Sequence, residues 1–195
     1  MESDHFGKYG ADRVVFDGNA NVLKEENDAE ELISISADSL QQMLFAQARQ
    51  MAEAKHLPIE VVRMGALSQT EAKFRIRKVQ ILRAWENLVG NALEYTDPMR
   101  GIRVEAEAQE MTAKSGACSL RFCVIDYGNG FSRKDLLYGT QEFYRGDDSR
   151  HDRSHQGLGL TIAKRFIEAQ GGKLELEKFR MSAGGRTGFS LYCRE

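Results

Sequence analysis

The sequence predicts a two-layer α+β sandwich, and three observations carry that expectation. Two amphipathic helical stretches are each closed by a proline, at Pro58 and Pro98. Short segments with strand-like alternation follow each of them, and a third helical stretch interrupts the strand-rich remainder. Elements in the order helix, strand, helix, then mostly strand with one more helix bury their apolar faces most simply as helices laid on a sheet. The 195 residues are enough for one sizeable core with an appendage.

Residues 1–37 join two short apolar pieces, VVF and NVL, around a candidate turn at Asp17-Gly18-Asn19, and then run into the acidic KEENDAEE. They show no sustained helical period and read as a peripheral arm or linker. From Asp38, Leu40, Met43, Leu44, Ala48, Met51 and Ala52 recur at three- and four-residue steps until Pro58, which predicts a helix. Strand-like segments follow at Ile59–Met64 and around Phe74–Ile76. A second helix carries Val79, Leu82, Trp85, Leu88, Val89, Ala92 and Leu93 on one face. Next come an alternating strand near Ile102–Ala108 and a second one, SLRFCVID, in which Leu120, Phe122 and Val124 alternate with Arg121 and Cys123. Residues 139–156 are polar and aperiodic, a length of loop that is functional or disordered. A last helix runs from near Leu158 to Gly171-Gly172, and strands around Lys173–Lys178 and Thr187–Cys193 close the chain.

Composition excludes several classes. Hydrophobic residues make up 42%, charged residues 29%, and there are two prolines, the balance of a globular protein rather than a disordered one. No apolar run is long enough to cross a bilayer and MESDHFGKYG has no signal-peptide layout, so the expectation is a soluble, cytoplasmic chain. The three cysteines, Cys118, Cys123 and Cys193, form no C-x-x-C pair and read as buried reduced thiols. A net charge of −2 argues against nucleic-acid binding. It hides an asymmetry: residues 1–37 carry nine acids and three bases, and residues 38–195 carry twenty acids and twenty-four bases, the sign suited to a polyanionic ligand.

Three constellations carry chemistry. In NLVGNALEYTD, Asn87 and Asn91 stand four residues apart and share one helix face. Two adjacent amide carbonyls suit a hard cation such as magnesium, which keeps several waters and phosphate oxygens; solvated or capping asparagines are the other reading. In VIDYGNGFS, a strand ends in Asp126 and breaks at Gly128 and Gly130. A carboxylate fixed there accepts from an exocyclic amine while glycines admit a flat base, although D-x-G-x-G is also an ordinary turn. In HQGLGLTIAKRFIEAQGG, Gly157 and Gly159 flank Leu158 at a helix start, where free N–H groups and the helix dipole favour phosphate. Neither a Rossmann fingerprint nor a Walker loop is present.

Taken in order, N-L-x-x-N-A-x-x-Y-T, D-x-G-x-G, E-F-Y-R-G and G-L-G-L-x-I-A-x-x-x-x-E-x-x-G-G resemble the N, G1, F and G2 boxes of sensor histidine kinases, members of the GHKL superfamily. The closing GGRTGFSLYC is similar to that family's glycine-threonine strand, and the resemblance spans about residues 38–195. It implies a Bergerat-type ATP-binding fold, a mixed, mostly antiparallel sheet covered on one face by about three helices. It also implies ATP and Mg²⁺ as cofactors and transfer of the γ-phosphoryl to a histidine on a separate phosphotransfer and dimerisation domain, with a response regulator downstream. Position by position, Asn91 would ligate magnesium and Asn87 would support the phosphates. Tyr95 would line the base pocket, Asp126 would read adenine beside Gly128 and Gly130, and Thr187 would complete that site. Phe143 and Arg145 belong to the F box, with Arg145 directed at the terminal phosphates, and Gly157, Leu158 and Gly159 would cradle phosphate. Residues 143–156 look like the ATP lid.

Two positions depart from the pattern. Glu94 stands where many relatives carry a base, and His155 replaces a glycine before the G2 pair. None of His5, His56, His151 and His155 sits in a phosphoacceptor-like H-E-x-x-x-P stretch, so the chain reads as a fragment or a lone catalytic domain. The alternatives are an anti-sigma-type serine kinase, another GHKL ATPase, or a domain degenerate in nucleotide binding that serves a partner. A gyrase-type ATPase places a general-base glutamate where Asn87 stands here.

Overall fold

A computed structural model describes residues 14–16, 22–24, 32–65, 73–110, 118–141, 144, 158–178 and 184–192. Its elements in chain order are β1 Val14–Phe16, β2 Val22–Lys24, β3 Leu32–Ser36, α1 Ala37–Ala54, β4 Ile59–Met64, β5 Lys73–Arg77, α2 Lys78–Tyr95, β6 Ile102–Glu110, β7 Cys118–Asp126, α3 Arg133–Tyr138, α4 Gly159–Glu168, β8 Lys173–Lys178 and β9 Gly185–Tyr192. The central sheet has the order β4-β6-β7-β9-β8. Only the β4–β6 pair is parallel, with α2 in the connection between them, and the other three pairs are antiparallel. The mixed, mostly antiparallel sheet expected from sequence is therefore observed. Two further two-stranded ribbons pair β1 with β2 and β3 with β5.

Three helices bury their apolar stripes in one cluster against one sheet face. Leu40, Leu44, Phe45 and Ala48 come from α1, Ile81, Trp85, Leu88 and Val89 from α2, and Ala163 and Ile167 from α4. The sheet supplies alternate residues, Val104, Leu120, Phe122, Val124, Phe189 and Leu191, as the two-residue strand period requires. Trp85 stands edge-on to Phe122 at 5.9 Å and to Phe189 at 6.1 Å, and its indole N–H donates to Leu44 O at 2.7 Å. This arrangement satisfies the one polar atom that burying a tryptophan would otherwise strand.

Local chemistry sets the helix ends. Ser36 caps α1 by accepting from Ser39 N. His56 takes φ +54° just past α1 while Leu57 N donates back to Ala52 O, a left-handed cap that stops the helix before Pro58 acts. One sequence expectation needs correction. Val79, placed on the apolar face of α2, is 47% exposed, because its direction from the axis points away from the Ile81–Trp85–Leu88 stripe. In β7, Cys123 and Ile125 are buried as well as Leu120, Phe122 and Val124. The outer sheet face over Cys123 is roofed by Arg186, whose guanidinium lies 3.4 Å from Cys123 Sγ and 3.1 Å from Glu105. Burial pushes the Cys123 thiol pKa up, as expected for an inert structural cysteine. Cys118 is also buried and not disulfide bonded, whereas Cys193 lies outside the described residues.

Candidate functional site

The site forms where the C-terminal ends of α2 and β7 meet the start of β9. Strand β7 runs apolar through Val124 and Ile125 and delivers Asp126 to the rim. Its two carboxylate oxygens are held separately: Gly128 N donates to Oδ1 at 2.9 Å and Gly185 N donates to Oδ2 at 3.1 Å. Two contacts leave acceptor capacity on both oxygens of an ionised carboxylate. Burial raises the Asp126 pKa above the usual carboxylate value, and backbone N–H donors, those of Gly128 and Gly185 foremost and its own after them, oppose that rise.

The glycines of the turn are there because side chains would collide. A Cβ on Gly128 would lie 2.0 Å from Tyr95 O. Gly130 has φ +71° and a Cβ there would lie 2.4 Å from Gly184 O, while one on Gly185 would meet Asp126 Oδ2 at 2.6 Å and the Phe131 ring at 2.9 Å. The D-x-G-x-G turn is thus interlocked with both the end of α2 and the start of β9. Because Ile125 is opposite Arg186 in the β7–β9 register, Val124 is opposite Thr187. Thr187 is buried on the same sheet face as Asp126, one residue pair further in. Tyr95, at the last turn of α2, is 47% exposed beside this rim.

The second half of the site lies between α2 and α4, which pack along each other. A Cβ on Gly159 would lie 3.0 Å from Asn87 Oδ1 and 3.7 Å from Asn91 Nδ2. Gly159 therefore brings the first turn of α4 onto the face that carries both asparagines. Asn87 Nδ2 donates to Arg83 O at 2.9 Å, which leaves its oxygen directed at that turn. The N-cap of α4, Leu158, offers no side-chain cap, so its leading N–H groups suit an anion. These residues fit a nucleotide with a divalent cation: an acceptor carboxylate at one end, and the Asn87 amide oxygen, the Asn91 side-chain amide and an uncapped helix start at the other.

Of the residues singled out from sequence, Asn87, Asn91, Tyr95, Asp126, Gly128, Gly130, Leu158, Gly159 and Thr187 come together at this edge of the sheet. Phe143, Arg145 and Gly157 lie outside the described residues, as do His151, His155 and every lid position except Tyr144. Glu94 is partly buried on α2. No group of three metal-ligating His, Cys, Asp or Glu side chains occurs among the described residues, and no helix among them is long and apolar enough to cross a membrane.

Sequence reasoning gave no role to Gly184 and Gly185, to Thr96 or to α3. Ser132 caps α3 by accepting from Asp135 N, and Ser132 N donates back to the Asp135 carboxylate. The Ser-x-x-Asp spacing was the available signal. Tyr144, in the F box, donates its phenol to Asp135 Oδ1 at 2.9 Å, which ties the foot of the expected lid to α3. Burial acts to raise the Asp135 pKa, but the hydrogen bonds from Ser132 and Tyr144 outweigh it and hold it below the ordinary value.

Comparison with known proteins agrees with this geometry. Residues 76–195 match the family described as histidine kinase-, DNA gyrase B-, and HSP90-like ATPase. The sensor histidine kinase SpaK of Bacillus subtilis is 30% identical over 141 residues, covering 72% of this chain and 28% of that protein. The sensor protein SphS of Synechococcus elongatus is 31% identical over 134 residues, covering 64% of this chain and 31% of SphS. The chain thus spans less than a third of either relative. Among solved structures, the catalytic domain of histidine kinase ThkA superposes with TM-score 0.61 at 17% identity, covering 84% of this chain and 96% of that one. Full-length ShkA in complex with AMPPNP gives 0.60 at 21%, covering 84% of this chain and 32% of ShkA. At these identities the likeness is one of fold.

Proposed function

The chain belongs to the family of histidine kinase-, DNA gyrase B-, and HSP90-like ATPases, and from that premise we propose that it is the ATP-binding catalytic domain of a two-component sensor histidine kinase. In this reading it transfers the γ-phosphoryl of Mg²⁺-ATP to a histidine on a separate dimerisation domain, from which a response regulator is phosphorylated. The observation that carries the reading is Asp126, a partly buried carboxylate pinned by Gly128 N and Gly185 N at the end of β7 and still able to accept. Sensor kinases among the relatives add weight to a histidine acceptor over a serine or water.

Asp126 accepts from the adenine amine, Gly128 and Gly130 leave room for the base, and Tyr95 and Thr187 border it. Asn91 supplies an oxygen to magnesium, and Asn87 presents Oδ1 toward the phosphates. Gly159, with Gly157 and Leu158, lets phosphate reach the start of α4. Magnesium supplies charge neutralisation across the phosphate oxygens as transfer proceeds. Arg145 and Phe143 complete the terminal-phosphate side from the F box. The boundary expected between an arm over residues 1–37 and a catalytic domain over 38–195 falls just inside α1, and the pairing of β3 with β5 favours counting residues 32–37 with the catalytic domain. The domain works in the cytoplasm.

Phosphoryl transfer depends almost wholly on positioning the nucleophile, and the described His56 sits at the far end of α1. Incubation with γ-labelled ATP tests the reading. The isolated chain is expected to bind ATP without rapid labelling, and a histidine-bearing dimerisation domain added in trans is expected to acquire acid-labile, base-stable phosphate. Rapid stoichiometric labelling of the isolated chain would overturn the proposal.

A further inference from the structure

Thr96 is buried, lies next to Tyr95 at the C-terminal end of α2, and makes two hydrogen bonds that leave the helix. Its hydroxyl donates to Gly101 O, at the entrance to β6, and accepts from Tyr127 N at 3.0 Å, the residue directly after Asp126. A hydroxyl has one proton to give and lone pairs to receive, so this single side chain satisfies one backbone donor and one backbone acceptor from two different elements. Nothing in its own helix needs it, since Thr96 N already closes onto Ala92 O. Around it the end of α2 and the Asp126 turn touch twice more, and the α2–β6 turn is closed on itself. Tyr95 O packs against Gly128 where no Cβ could fit, Arg100 stacks its guanidinium 3.9 Å above the Tyr127 ring, and Gly101 N donates to Asp97 O to close the α2–β6 turn.

We propose that Thr96 is a positioning residue for base recognition: its hydroxyl fixes the Tyr127 peptide, and through it the aim of the Asp126 carboxylate, relative to the helix that carries Asn87 and Asn91. The inference rests on the function proposed above, because it assigns Asp126 to the base and α2 to the phosphate end. Asn91 and Thr96 are five residues apart, about 7.5 Å along the helix axis, so both ends of one ligand would be referenced to one rigid rod. Turns of the D-x-G-x-G kind are adaptable by themselves. Asp126 Oδ1 bonds Gly128 N two residues on, a local contact that rotates with the turn and cannot set its direction. Gly185 N holds Oδ2 to β9, and the Thr96 hydroxyl, thirty-one residues away in sequence, holds the same turn to α2. Removing it leaves a part-buried N–H and a buried carbonyl without this partner, which favours a shift of the turn toward water or another partner.

The test compares ATP with ITP, which lacks the amine that Asp126 accepts. Both are titrated by calorimetry into the parent chain, Thr96→Val, Thr96→Ser and Thr96→Ala, well below each variant's melting temperature. The parent is expected to prefer ATP by about tenfold or more, the value of one hydrogen bond to a charged group. Thr96→Val, which keeps the shape and loses the hydroxyl, is expected to reduce that preference to about threefold or less, and Thr96→Ser to restore it. Thr96→Ala is read in the same way, so a folding failure of the valine variant does not end the test. A merely structural role would lower the melting temperature and leave the ATP-to-ITP ratio alone, and an unchanged ratio in folded Thr96→Val or Thr96→Ala overturns the inference while leaving Asp126 as the reader. A parent that fails to distinguish ATP from ITP removes both.

Discussion

Replacing Asp126 by asparagine exchanges one carboxylate oxygen for an amide nitrogen at nearly constant volume. In the parent, Gly128 N and Gly185 N hold opposite oxygens at 2.9 and 3.1 Å, so whichever way the amide turns, one of these N–H groups faces a donor. The ligand loses a charge-assisted acceptor as well. A hydrogen bond to a charged group is worth about 1.5–3 kcal/mol, which at about 1.4 kcal/mol per tenfold means roughly 10- to 150-fold weaker ATP binding. The readout is calorimetric titration of ATP into parent and variant at neutral pH. Stability carries a second, independent signature. Because burial raises the Asp126 pKa, the folded protein binds that proton more tightly than the unfolded chain. The parent is therefore relatively stabilised in acid and loses this contribution as pH rises from the ordinary value of 3.8 through the raised one. The melting-temperature difference should accordingly move toward the parent as pH is lowered from neutrality. If ATP binds Asp126→Asn within about threefold of the parent, less than about 0.7 kcal/mol, the carboxylate does not read the base.

Other perturbations separate the parts of the site. Asn91→Ala should weaken Mg²⁺-ATP far more than ATP in EDTA, since it removes a metal oxygen rather than a phosphate contact; equal losses would refute the metal role. Gly128→Ala drives a Cβ to within 2.0 Å of Tyr95 O and should cost about 1–3 kcal/mol in denaturant unfolding while abolishing tight nucleotide binding, and parent-like values in both would contradict the interlocked turn. Trp85→Ala empties the centre of the core and should cost about 3–5 kcal/mol, a fall of roughly 6–20 °C in melting temperature. A drop of about 2 °C or less would mean that α2 is not held by this contact.

Periodicity made the layers legible because each core helix is long and one-sided: Leu40, Leu44 and Ala48, or Trp85, Leu88 and Ala92, could be read directly. It failed where burial has a different cause. Cys123 and Ile125 are both buried on the outer face of β7, and over Cys123 lies Arg186 from β9, bonded to Glu105 of β6, a roof that depends on strand order and not on local pattern. Helix α3 is six residues with no buried stripe, so only its capping box could have announced it. At the site, Asp126, Gly128 and Gly159 were visible as motifs because each acts within a few residues of itself. Gly185 and Thr96 stood inside the quoted GGRT and Y-T stretches, but their contacts were not legible, because Gly185 reaches Asp126 across fifty-nine residues and Thr96 reaches Tyr127 across thirty-one, distances set by the β7–β9 register and by where α2 ends.

The central claim is that one Mg²⁺-ATP lies along α2 with its base at Asp126 and its phosphates at the start of α4, and amide chemical-shift mapping with Mg²⁺ and a non-hydrolysable ATP analogue tests it most directly. The largest shifts are expected at Asn91, Tyr127, Gly128, Gly159 and Gly185, with the outer-face residues Lys173 and Glu175 unmoved. Saturating analogue that leaves these five amides in place, or moves the outer sheet face instead, would contradict it.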